Sequence, residues 1–255
     1  MEKCKRWVKP VIVLIVLLAA WQLASSSGRW SAYVLPAPAR VLNSFLVMVK
    51  SGVLARHICV SFQRVAIGFS IAFVLAFLLA VGASLRKGLA DYYGFLLEFM
   101  RNVPPLSLIA LLILWFGIGE KSKIIIIVLA SFFPMFLNIR KGIVSCDPKL
   151  LEVGQSYNFS RLKCFWKIVL PCAAPDILVG MRIGLGYSWR AIIGAEMIAA
   201  GSGLGYLILD AQQMSRSDKV IVGIFVIGLV GIACDKVFSF LIKKLMHGGV
   251  DDSWS

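Results

Sequence analysis

Arg182, Trp189 and Glu196 stand seven residues apart in an otherwise apolar run from Ile177 to Ala199. On a helix they share one face, with Arg190 about 80° round from Arg182. A charge inside an apolar stretch of membrane length is costly, so it marks either a solute route or a buried pair. A face carrying Arg, Trp and Glu should point at a water-filled or protein-lined route, not at lipid. Arg182 and Glu196 also lie near the ends of the run, where they can reach the interfaces, and salt-bridging of Arg182 or Arg190 to Glu196 is the alternative to an anion route. Arg190 sits nearer the middle. Gly180, Gly184, Gly186 and Gly194 allow close helix approach, and Gly180-Met-Arg-Ile-Gly184 fits the small-x-x-x-small pattern. A second ionisable set, Glu98 and Arg101, is spaced i, i+3 and can neutralise itself. Pro104-Pro105 follows; broken helices are tolerated in membranes where they line a cavity or pack on neighbours. Arg101, Pro104 and Pro105 are therefore further candidates for the route, with a structural kink as the competing account.

Nothing in the chain is spaced for catalysis. No Gly-rich loop precedes a Lys-Ser/Thr pair, and no nucleophile has a histidine partner. The six cysteines contain no C-x-x-C and only two histidines could join them, which argues against a metal or haem site. Cys146, Cys164 and Cys172 fall in or beside a polar insert expected in the cytosol, where thiols stay reduced. His57 and His247 read as solvated.

With 255 residues, 59% of them apolar and 16% charged, and a mean hydropathy of +0.85, the chain is too hydrophobic for a soluble domain. Its uncharged runs approach the roughly 20 residues a helix needs to cross hydrocarbon. They are continuous rather than alternating, which predicts helices and not a barrel. The chain reads as a single all-α membrane domain of six spans, over residues 10–27, 65–85, 92–117, 123–140, 176–199 and 220–242. The first resembles a signal peptide too, but the polytopic remainder favours an uncleaved span. Pro134 should kink the fourth, whose brevity Lys123 and Arg140 can offset by snorkelling outward. An amphipathic helix over 39–50, with Val41, Phe45, Leu46 and Val49 as its stripe, should dock on the outer side of the bundle. A glycine-containing loop follows the fifth span.

The net charge of +14 is mostly a matter of topology. With the N-terminus inside, cytoplasmic segments hold 14 of the 27 Lys and Arg, among them Arg86 and Lys87, against nine in outer segments. That bias places both termini in the cytosol. The basic residues lie in short loops without stacking platforms, so nucleic acid is not expected as a partner.

The insert, residues 141–172, is the chain's most informative stretch. Asp147 can cap a helix begun by Pro148, and Asn158 suits a left-handed stop. Ser160 can cap a second helix, with Leu162, Phe165, Trp166 and Val169 as one apolar stripe toward the membrane domain. One face of this hairpin is left for something outside the chain.

The insert resembles that of the permease subunits of bacterial ATP-binding-cassette importers, whose pattern is E-A-A, three residues, G, nine residues, I-x-L-P. Here Glu152-Val153-Gly154 precedes Asn158 and Ile168-Val169-Leu170-Pro171 at the same spacing. Val153 and Gly154 replace the alanines and Asn158 the glycine. Asn tolerates the left-handed turn, whereas Gly154 softens a helix by up to about 1 kcal/mol. Val34-Leu35-Pro36-Ala37-Pro38, Arg101-Asn102-Val103-Pro104-Pro105-Leu106, Leu114 to Glu120, Ala195 to Ala199 and Gly203 to Ile208 are similar to the nitrate/sulfonate/taurine branch of that family.

The resemblance implies a type I importer permease bundle with a cytoplasmic coupling helix, in the bacterial inner membrane. It implies a second permease copy, forming a homodimer, two cytosolic ATPase subunits that hold ATP and Mg, and an extracytoplasmic solute-binding protein. The chain itself would bind no cofactor and would not be an enzyme. Glu152, Val153, Gly154, Asn158, Ile168, Leu170 and Pro171 would couple to the ATPase, and the solute would be a small anion such as a sulfonate, taurine or nitrate. Two other readings stand beside it: a self-sufficient secondary transporter, against which the absence of duplicated halves speaks, and a non-catalytic subunit of a membrane enzyme complex.

Overall fold

A computed structural model describes residues 2–85 and 89–245, with the side chains of 11–84 and 94–244. Arg86, Lys87 and His247 lie outside the described residues. Among those described there is no strand. The helices are α1 (Glu2–Ser26), α2 (Pro38–Lys50), α3 (Val53–Leu85), α4 (Leu89–Asn102), α5 (Ile109–Phe116), α6 (Glu120–Val144), α7 (Pro148–Ser156), α8 (Arg161–Cys164), α9 (Leu170–Ala199), α10 (Leu204–Gln213) and α11 (Ser217–Leu245).

Four helical stretches, Val53–Ser84, Glu120–Val144, Arg161–Ala199 and Ser217–Lys244, are long and apolar enough to cross a membrane. Gly94–Asn102 and Pro105–Phe116 pass only together and are bent by 88°, while Val11–Ser26 is a shorter apolar helix. The expected third span is thus two helices. α4 ends at Asn102 because Pro104 and Pro105 offer no N–H to continue it, and Pro105–Leu108 winds as a 3-10 turn instead. The fourth span is longer than its uncharged core suggested, at 25 residues, and Pro134 is carried inside it without ending it.

The chain divides into two compact units. In the unit of residues 1–60 and 201–229, α2 buries Val41, Ser44 and Met48. This corrects the expected stripe, since Leu46 and Val49 are exposed. The reason is polar: Ser44 Oγ donates to the buried carboxylate of Asp218, which Arg216 also holds through Nε and Nη2 at 3.0 and 2.9 Å. The expected glycine loop contains a helix, α10, which buries Leu204, Leu207, Ile208 and Ala211 at i, i+3, i+4 and i+7. Gly203 enters it at φ 113°, a value that favours glycine, and donates its N–H to His57 Nδ1 at 3.0 Å. His57 also stacks on Tyr206, so it holds this turn instead of being merely solvated.

In the unit of residues 61–200 and 230–255, the core gathers Ala72, Ala76 and Ala80 of α3, Met135, Phe136 and Ile139 of α6, and Ala173 and Ile177 of α9. α6 and α9 approach one another at glycines. A Cβ on Gly180 would stand 2.7 Å from Asn138 Cβ, and one on Gly184 2.7 Å from Met135 Cγ. At Gly142 it would meet Asp176 Cβ at 2.8 Å and the Ala173 carbonyl oxygen at 3.0 Å. The small-x-x-x-small pattern thus serves this one helix pair. Around Gly186 nothing lies within 4 Å. Replacement of Gly142 by Leu should destabilise the purified chain by about 1–3 kcal/mol or more, because backbone blocks the added group. Gly186→Ala should be neutral or slightly stabilising, and thermal unfolding in detergent compares the two.

Candidate functional site

The insert folds as its cap residues dictate. Asp147 Oδ1 accepts from Lys149 N at 2.9 Å and opens α7 behind Pro148. Asn158 adopts φ 53°, and Asn158 N and Phe159 N donate to the carbonyls of Gln155 and Gly154 at 2.8 and 3.0 Å. That is the Schellman closure. Ser160 Oγ then accepts from Lys163 N at 3.3 Å, while Lys163 Nζ sits 4.1 Å from the centre of the Phe159 ring.

Two features of the hairpin differ from expectation. Gly154 is a contact point: it is buried, and a Cβ there would lie 2.6 Å from Ile168 Cδ1 and 2.7 Å from Cys164 Sγ. Its absence of a side chain lets α7 lie directly on the next helix, so the cost in propensity is offset by close packing. The second helix runs on into the fifth span, expected from the sequence to begin separately at residue 176. Arg161 to Ala199 is one helical stretch of 39 residues, with a π turn at Phe165–Val169 whose closing bond runs from Leu170 N to Phe165 O. Pro171 cannot donate to the carbonyl one turn back, and a widened turn there accommodates the loss. The turn also splits the expected stripe. Phe165 and Val169 are half-buried, but Leu162 and Trp166 are 69% and 58% exposed. On α7 the outward residues are Leu150, Val153 and Tyr157, with Glu152 exposed among them. Cys146 is buried at the start of the insert, and burial pushes its thiol up to about 11.

The structure separates the candidate route residues. Glu196 is fully buried and pairs neither with Arg182 nor with Arg190. Arg182 instead makes a two-pronged ion pair with Asp235 of α11, both bonds at 2.8 Å. Trp189 is buried, with its Nε1 3.0 Å from where a Gly231 side chain would begin. Arg190 lies on the exposed face of α9 with Ile183 and Tyr187, its guanidinium 5.8 Å from the Tyr187 ring centre. Glu98 and Arg101 form no ion pair; they share a cavity of about 270 Å³ with Arg140. Pro104 and Pro105 mark the 88° bend.

What sequence reasoning missed is Arg64. The charge count places it among the nine cations of the outer segments, yet it lies within α3, 4% exposed. Its Nη1 meets Glu196 Oε1 at 2.7 Å, and its Nε and Nη2 grip Glu120 at 2.7 Å each. Lys123 does not snorkel: it is buried and bonds Glu120 at 2.7 Å. Ser61 Oγ completes the group, 2.8 and 2.9 Å from the two Glu196 oxygens. Two acids and two bases thus neutralise one another and tie α3, α6 and α9 together at the ends remote from the insert. The available signal was the scarcity of acids: two carboxylates embedded in apolar runs each require a cation. Arg64→Gln should destabilise the purified chain by about 3–5 kcal/mol, read as a fall in the thermal midpoint, because Glu196 would be left buried without its cation. Adding Glu196→Gln should recover part of that loss, read as a positive coupling in a double-mutant cycle.

Residues 68–247 match the family described as the inner membrane component of binding-protein-dependent transport systems. The chain is 37% identical over 240 residues to an aliphatic sulfonates transport permease protein of Bacillus subtilis, covering 94% of this chain and 87% of that one. It is 32% identical over 244 residues to a taurine transport system permease protein of Escherichia coli, covering 93% and 89%. Its fold matches, at a TM-score of 0.66 and 14% identity, that of a bacterial ABC transporter involved in importing the acidic polysaccharide alginate, over 96% of this chain and 98% of that one. The readings as a self-sufficient transporter or an enzyme subunit fall away. The chain belongs to the family of binding-protein-dependent inner-membrane transport components and is a multi-pass permease subunit of an ATP-driven importer.

Proposed function

We propose that this permease works as a homodimer, receives a small organic sulfonate or related anion from an extracytoplasmic binding protein, and is driven by two cytosolic subunits holding ATP and Mg. Both termini and the insert lie in the cytosol in this reading. The observation that carries it is the stripe of Leu150, Val153 and Tyr157 on a hairpin with rigid caps, Tyr157 being 73% exposed. Large apolar groups presented together in water mark a surface that another protein covers. Glu152 and Val153 contact the ATPase. Gly154, Asn158 and Ile168 hold the hairpin's shape, and Leu170 and Pro171 join it to the long helix.

The uncovered face of α9 carries Ile183, Tyr187 and Arg190. A guanidinium well inside a span is not left against hydrocarbon, so this face turns toward the second copy and the solute route between the two. Arg190 suits an oxyanion by charge and by its planar donors. The sulfonate and taurine permeases matched above, at 37% and 32% identity, support that solute class. Arg182 and Glu196, held in ion pairs, act as positioning residues for the spans.

In the reconstituted importer, Glu152→Lys should leave assembly of the bundle intact and reduce uptake per ATP hydrolysed at least tenfold. Wild-type stoichiometry in that variant would sink the placement of the coupling surface. Replacing Arg190 with Gln should reduce uptake tenfold or more with ATPase assembly unchanged; normal uptake would make it a packing residue.

A further inference from the structure

Arg101 lies in the last turn of α4 and Arg140 near the end of α6, and both line the cavity of about 270 Å³ whose walls include Glu98, Phe133, Phe136 and Leu137. Neither guanidinium has a hydrogen bond or ion pair to a described residue. Among the described residues the wall holds two guanidiniums and one carboxylate, Glu98, so the arginine charge is only half balanced. The described wall therefore carries one net positive charge.

Its position matters as much as its charge. Arg140 is four residues from Val144, the last of α6, which is about 6 Å along the axis. The cavity therefore opens near the level where the span leaves hydrocarbon. α4 is sharply bent from the segment that follows, so the two cannot both run along the membrane normal. One side of α4 gives Gly94, Glu98 and Arg101 to the cavity, while Phe95, Leu96 and Phe99 are exposed, Phe95 at 82%. A helix with charge on one side and bare aromatic residues on the other suits the interfacial plane.

We propose that this cavity binds the headgroup phosphate of an anionic glycerophospholipid between Arg101 and Arg140, with the first part of an acyl chain against Phe133, Phe136 and Leu137. Basic pockets between membrane helices take such headgroups. A phosphodiester monoanion matches the net charge of the described wall, whereas a zwitterionic headgroup, neutral overall, leaves one arginine charge unbalanced even with its ammonium beside Glu98. A soluble oxyanion shares the phosphate chemistry but leaves the aromatic wall unused. The site is separate from the α9 face assigned to the solute, and neither assignment depends on the other.

Native mass spectrometry of the delipidated full chain in detergent tests this, with phosphatidylglycerol, phosphatidylethanolamine and methanesulfonate as probes. Phosphatidylglycerol should bind in preference to the other two. Arg101→Gln and Arg140→Gln should each weaken it about fivefold, and Lys at both positions should retain most of the binding. Glu98→Gln should strengthen it several-fold, a gain that a misfolded chain cannot produce. Equal binding of the two lipids, or variants that leave phosphatidylglycerol unaffected, would overturn the proposal. Methanesulfonate binding as tightly as phosphatidylglycerol would assign the site to a free oxyanion and overturn it equally.

Discussion

A continuous helix joins the polar hairpin to the far end of the bundle, and the rest of the structure depends on it. From Arg161 to Ala199 it has 39 residues, about 58 Å at 1.5 Å per residue. At one end Gly154 seats α7 directly against Ile168 and Cys164. Along its length Gly142 of α6, together with Gly180 and Gly184, brings α6 and α9 into contact too close for a Cβ. At the other end Glu196 is tied to Arg64, and through it to Glu120. Close-packed interiors transmit a displacement and do not absorb it. In the proposed mechanism a push on α7 would reach the remote ends of three spans, as rigid-body alternation of a transport route requires.

The second constraint is the treatment of charge in an apolar medium. The chain has 27 basic and only 13 acidic residues, and the acids within the long helices are matched to bases. Glu120 and Glu196 meet Arg64, Asp176 meets Lys141, Asp235 meets Arg182 and Asp218 meets Arg216, all within 3.0 Å. The pairs between helices hold them in register; at the buried Arg64–Glu196 pair, breaking it leaves a charge stranded, so it specifies geometry more than it stabilises. Arg101, Arg140 and Arg190 are not matched by carboxylates in this way.

The hairpin was legible in the sequence because its determinants are local. Asp147, Pro148, Asn158 and Ser160 each act within three or four residues of themselves, and each adopts the conformation its chemistry predicts. The resemblance of Glu152 to Pro171 to a known pattern rests on the same local spacing. What escaped was set by distance. Arg64 looks like a loop charge until its partners 56 and 132 residues away are known. The insert and the fifth span look separate until the widened turn before Pro171 is seen to join them. Gly154 reads as a weakness because the side chains it admits, Ile168 and Cys164, lie on the other arm. α10 carried its own apolar spacing, but three nearby glycines suggested a loop; Gly203 in fact starts the helix and Gly205 is buried in its first turn.

The central claim is that α7 is the point at which a separate ATPase grips this chain and drives the long helix. Photo-crosslinking from Val153, which is 52% exposed, measures it most directly in the assembled importer. The account predicts a crosslink to the ATPase subunit whose yield changes when ATP is added. Crosslinks to lipid or to the solute-binding protein, with none to the ATPase in any nucleotide state, would contradict it.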